Sequence, residues 1–190
     1  MRLNTRLLLG SLVVAAVASV GIGYLISRND GTGDSVTLSS GADAQPPGIG
    51  TNAAVQGTPL PVVDLETLEG DVLSTADLLG RPLVLNIWYS TCAPCKKELP
   101  ALAQVQAEYG NRVRFIGVNP SDSPEVNESF ARSRGVQYEL LGDPDGAFTA
   151  AAGIVTAPVT LFVRPDGTIV RQTGELTAER LRDIIETELL

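Results

Sequence analysis

The chain has 190 residues, no histidine, and 22 acidic against 14 basic side chains, for a net charge of −8. An acidic surface is repelled by nucleic acid and by anionic lipid headgroups, so the expected partners are proteins or small molecules. With two cysteines and no histidine, the ligand set of a Cys/His zinc site is incomplete, and no metal or other cofactor is expected.

Arg2 and Arg6 precede an uncharged, mainly apolar run of 21 residues from Leu7 to Ser27, about the length that spans a bilayer. Positive charge before the run predicts a cytoplasmic N-terminus and an extracytoplasmic remainder. One transmembrane helix over 1–28 is expected. The alternative is a signal peptide cleaved after Ala16-Val17-Ala18, and it exports the domain equally. Residues 29–59 are rich in Gly, Ser, Thr, Asp, Ala and Pro without apolar periodicity, which reads as a flexible linker. Residues 60–190 suffice for one core and are expected to form one domain, a monomer. The domain carries the whole net charge, 11 basic against 19 acidic residues, because the preceding segments cancel.

Within the domain, Pro61 to Leu65 and Asp71 to Leu73 flank the turn signal Leu68-Glu69-Gly70-Asp71 and predict an opening hairpin. Leu83 to Trp88 is nearly unbroken in apolar character, the pattern of a strand covered on both faces. From Ala93 to Tyr109, Leu99, Leu102, Val105 and Tyr109 recur at three- and four-residue spacing and predict a helix that ends near Gly110. A strand over Val113 to Val118 follows, then a helix opened by Ser123-Pro124-Glu125 and closed at Gly135. A strand near Tyr138 to Leu141 and a short helix from Gly146 to Ala152 come next. Val159 to Val163 and Thr168 to Gln172 face each other across Arg164-Pro165-Asp166-Gly167, and Thr177 caps the last helix. The order predicts an α/β sheet of mixed direction with helices on both sides.

The two cysteines stand in Cys92-Ala93-Pro94-Cys95, where the apolar strand gives way to the first long helix. A bridge across so short a loop constrains the unfolded chain by only about 2 kcal/mol, which makes it a poor staple. A redox dithiol is the better use of the pair. Cys92 at the helix N-cap meets unpaired N–H groups and the positive end of the dipole, which favour its thiolate and make it the predicted nucleophile. Cys95, one turn in and less exposed, is the predicted resolving thiol.

Asn86 to Pro100, which reads Asn-Ile-Trp-Tyr-Ser-Thr-Cys-Ala-Pro-Cys-Lys-Lys-Glu-Leu-Pro, resembles the active-site segment of the TlpA/ResA family of membrane-anchored, extracytoplasmic thioredoxin-like oxidoreductases. The resemblance covers roughly residues 60–190 and includes Thr156-Ala157-Pro158-Val159-Thr160 ahead of the final hairpin. It implies a thioredoxin-like fold: a central mixed sheet flanked by helices, an N-terminal β-hairpin extension and a βα insertion. It implies a redox-active Cys92–Cys95 disulfide and an active-site carboxyl at Glu98 that exchanges protons with Cys95. It further implies a cis Ala157–Pro158 bond, with the Ala157 backbone open to an extended substrate segment. Trp88 is grouped with these substrate-binding residues, although both it and Tyr89 fit a core equally well. The sequence departs from the family at Thr91, where a second tryptophan is common, and from thioredoxin at Asn86, which replaces a buried aspartate.

The function implied is reduction of disulfides in exported proteins such as apocytochrome c, with electrons from a membrane thiol carrier. Two alternatives are a disulfide-donating oxidase of secreted proteins and a thioredoxin-fold copper-binding or metallochaperone module. Ala93-Pro94 lacks the histidine of strongly oxidising exported relatives, which weighs against the oxidase. Tyr89 lies three residues before Cys92, so the Thr-X-X-Cys arrangement of peroxiredoxins is absent.

Overall fold

The computed structural model describes residues 51–190, so the predicted membrane helix and most of the predicted linker lie outside the described residues. Among the described residues the order is β1 (Asp64–Thr67), β2 (Val72–Ser74), β3 (Leu83–Ile87), α1 (Ala93–Tyr109), β4 (Arg114–Asn119), α2 (Pro124–Arg132), β5 (Glu139–Gly142), α3 (Ala147–Ala151), β6 (Val159–Val163), β7 (Ile169–Thr173) and α4 (Ala178–Ile184). A 3₁₀ turn over Thr75–Leu78 joins β2 to β3, and a π turn over Ile185–Leu189 extends α4. No helix among the described residues is long and apolar enough to cross a membrane.

The strands form one sheet in the order β2-β1-β5-β4-β3-β6-β7. β3, β4 and β5 are parallel, while β6, β7, β1 and β2 join the two sides antiparallel. This is the expected sheet of mixed direction, with the opening hairpin at one edge and the closing hairpin at the other. The observed β1 starts three residues later than its predicted strand. The Thr75 hydroxyl donates to the Pro61 C=O at 2.7 Å and accepts from the Val63 N–H at 3.0 Å, which ties this stretch to the 3₁₀ turn.

All five residues of β3 are buried, because each face of the sheet has its own cover. Val84 and Trp88 face α1 and α4, packing with Leu99, Leu102, Leu181 and Ile184. Leu83, Leu85 and Ile87 face the opposite layer with Leu78, Phe148 and Ile154. Alternation along the strand therefore sends Asn86 to the α1 side, amid apolar neighbours.

Residues 51–59, grouped by composition with the linker, pack along β7. The Gly57 N–H donates to the Ile169 C=O at 2.7 Å, the Ile169 N–H to the Thr58 C=O at 2.9 Å, and the Leu60 N–H to the Gly167 C=O at 2.8 Å. Backbone groups make this strap, so apolar periodicity gives no sign of it.

Candidate active site

α1 begins where β3 ends, and its first turn holds the sulfur chemistry. Cys92 is the N-cap in extended conformation, and its Sγ accepts from the Cys95 N–H at 3.2 Å. Pro94 is tolerated in this turn because its missing N–H would have had no intrahelical partner. The two cysteines are joined in a disulfide, with Cys92 5% exposed and Cys95 fully buried. An incoming thiol therefore reaches Cys92 more readily than Cys95.

The loop before Cys92 is held by a group the sequence did not single out. Asp122 accepts from the Ser90 N–H and the Ser90 hydroxyl, each at 2.7 Å, and from Asn119 Nδ2 at 2.8 Å. Burial pushes the Asp122 carboxyl up, but the bonds from Ser90 and Asn119 outweigh it and hold the group below its ordinary value. Asn119 in turn accepts from the N–H groups of Ser121 and Asp122, so the β4–α2 loop is a rigid support.

Glu98 lies one turn beyond Cys95 and is only 1% exposed. In the antiparallel register of β3 and β6, Asn86 stands directly opposite Thr160, so both side chains project from one face toward α1. Asn86 Nδ2 donates to Thr160 Oγ1 at 2.9 Å and to Glu98 Oε2 at 3.3 Å, and the Thr160 hydroxyl donates to Glu98 Oε1 at 3.3 Å. Burial pushes the Glu98 carboxyl up to about 7, against the lowering effect of Asn86, Thr160 and the Leu176 N–H. A solvated surface glutamate, the other reading of its spacing, does not describe it. Tyr138 is also buried nearby, and burial first, then the Glu98 charge, raises its phenol far above the usual range.

The Ala157–Pro158 bond is cis, and Ala157 packs against the core cluster that contains both cysteines. No group among the described residues pairs with the Ala157 backbone. Beside it lies a groove of about 290 Å³ lined by Tyr89, Pro120, Thr149, Val155, Thr156 and Ala157, among others. Trp88 departs from its placement with the substrate-binding residues. It is fully buried and stacks on Phe130 with centroids 5.7 Å apart, so it backs the site and offers no surface to a partner. Its Nε1 points at Gly117, where the lack of a side chain leaves room for the indole.

Residues 56–172 match the AhpC/TSA family. The chain is 29% identical over 136 residues to the thiol-disulfide oxidoreductase ResA of Bacillus subtilis, covering 70% of this chain and 76% of that protein. It is 31% identical to the thiol:disulfide interchange protein DsbE of Tatumella citrea, over 97% of this chain and 94% of that protein. Among solved structures, a secreted Mycobacterium tuberculosis disulfide oxidoreductase homologous to E. coli DsbE matches with a TM-score of 0.58 and 28% identity, over 65% of this chain and 94% of that one.

Proposed function

The chain belongs to the AhpC/TSA family and is a thiol-disulfide oxidoreductase of thioredoxin-like fold, and we propose that it reduces disulfides in exported proteins, apocytochrome c among them. The observation that carries the reducing direction is that no side chain among the described residues donates to Cys92, which leaves the helix N-terminus as the support of its thiolate. Among the described residues the Cys95 N–H is the one hydrogen-bond donor to its sulfur, and the dipeptide Ala93-Pro94 adds none. Strong oxidants of this class owe their potential to a heavily stabilised reduced form. A thiolate supported by a helix N-terminus alone gives its electrons away more readily than one with added donors.

In the proposed cycle the Cys92 thiolate attacks one sulfur of the substrate disulfide, forms a mixed disulfide and releases the first substrate thiolate, which takes a proton. Cys95 then loses its proton to Glu98, attacks Cys92 Sγ, and releases the second substrate thiolate. Two electrons pass from the dithiol to the substrate, and the Cys92–Cys95 disulfide that results is the state described above. The unpaired Ala157 backbone beside Pro158 would receive the substrate segment in extended form. A membrane thiol carrier on the extracytoplasmic side would return the enzyme to the dithiol. The basic, then apolar, opening of the sequence would anchor the domain there as a monomer on its linker.

Replacing Cys95 with Ala blocks resolution and should leave partners attached to Cys92. Capture in cells, followed by identification of the attached chains, is expected to yield a cytochrome c precursor and a membrane thiol protein. A broad set of secreted proteins without either would overturn the reductase in favour of the oxidase.

A further inference from the structure

We propose that Asn52 is a positioning residue for substrate capture, one that closes the Thr156 backbone so that an extended substrate segment can pair only at Ala157. The inference rests on the reading of Ala157 as the pairing residue. Asn52 Oδ1 accepts from the Val155 N–H at 2.7 Å and from the Thr156 N–H at 2.9 Å, while its Nδ2 donates to the Thr156 C=O at 2.9 Å. One side chain thus occupies both backbone groups of Thr156, much as a neighbouring strand would. Ala157, the next residue, is the first in the loop whose N–H and C=O are both open among the described residues.

The clamp is held by the strap that follows it. The Ala53 N–H donates to the Gly153 C=O at 2.8 Å, and the strap lies so close that a Cβ on Gly153 would stand 2.5 Å from that of Ala53. Farther along, the Val55 N–H donates to Gln172 Oε1 at 3.0 Å, and Gly57 and Leu60 join the β7 hairpin. Val155 and Thr156 are exposed and outside any strand or helix, yet they wall the groove beside Tyr89. Without Asn52 their amides would face water, and the open Thr156 N–H and C=O would offer a substrate a second, shifted register.

The test compares the full-length chain with Asn52→Ala and Asn52→Asp. The Asp variant keeps an acceptor for both amides and loses only the donor to the Thr156 C=O. Amide hydrogen exchange at Val155 and Thr156 should speed at least about tenfold in Asn52→Ala and stay within about threefold of wild type in Asn52→Asp. In single-turnover reduction of an oxidised Cys-X-X-Cys-His peptide, followed by Trp88 fluorescence, the half-saturating concentration should rise about fivefold in Asn52→Ala with the limiting rate within about twofold. The Asp variant should recover most of that loss. Unchanged exchange in Asn52→Ala, or faster exchange with unchanged half-saturation, overturns the inference. A wild-type chain that exchanges slowly at Thr156 but leaves the peptide disulfide intact overturns the proposed function, and the inference with it.

Discussion

Glu98 ionises late because its carboxyl has left water for a pocket whose side-chain donors, among the described residues, are Asn86 and Thr160. Its value rises from 4.5 in a solvated chain to about 7, so the unfolded chain gives up this proton before the folded one does. Stability is therefore greatest while the group is neutral and is lost as pH climbs from the unfolded value through the folded one. Relative to Glu98→Gln, the oxidised wild type should lose on the order of 3 kcal/mol over that window and then level off. Urea unfolding at about pH 4, 6 and 8.5 measures it. In kinetics, the same substitution should slow exchange and erase an inflection near 7, and superposed profiles across about pH 5 to 9 would remove Glu98 from the mechanism. Asn86 suits this role better than a carboxylate would. Its amide donates to the ionised glutamate and, turned over, accepts from the protonated one, without adding a second buried charge. Cys92 and Cys95 were legible from their spacing at a helix start, whereas Glu98 was legible only through the family resemblance, because its spacing alone fits a solvated surface glutamate as well. Thr160 became a partner of Glu98 only through strand register, and Asp122 through a loop from the neighbouring strand.

Helix α1 was legible to the residue and strand β3 to within one residue at its end, since a period of three to four and an unbroken apolar run leave little choice between elements. The strap over 51–59 and the start of β1 were not, because each is set by backbone or hydroxyl partners distant in sequence. β4 shows how closely the layers fit around the site. A Cβ at Gly117 would lie 2.8 Å from Leu140 Cδ2, 3.0 Å from Trp88 Nε1 and 3.3 Å from Tyr138 Cε2. Gly117→Ala should therefore cost about 1–3 kcal/mol by overpacking, and the indole should shift with it. Chemical denaturation gives the first quantity. The emission of the sole tryptophan, displaced to a new maximum in the folded variant, reports the second.

The domain's charge, 11 basic against 19 acidic residues, acts over the whole molecule and governs encounter more than capture. Raising the salt from about 10 to about 100 mM shortens the screening length from about 30 to about 10 Å. The second-order rate of reduction of a cationic disulfide peptide should fall several-fold over that range, while that of a neutral peptide of the same length stays flat. Equal salt dependence for both peptides would remove long-range steering from the account. The strap bears on the molecule in another way. A strand at the end of a sheet is a template on which another chain can add itself, and β7 would be such a template. Gly57, Thr58 and Leu60 already occupy groups at that end, and β2 at the other end is three residues long. The domain therefore presents to its own copies one edge already paired at Ile169 and another only three residues long.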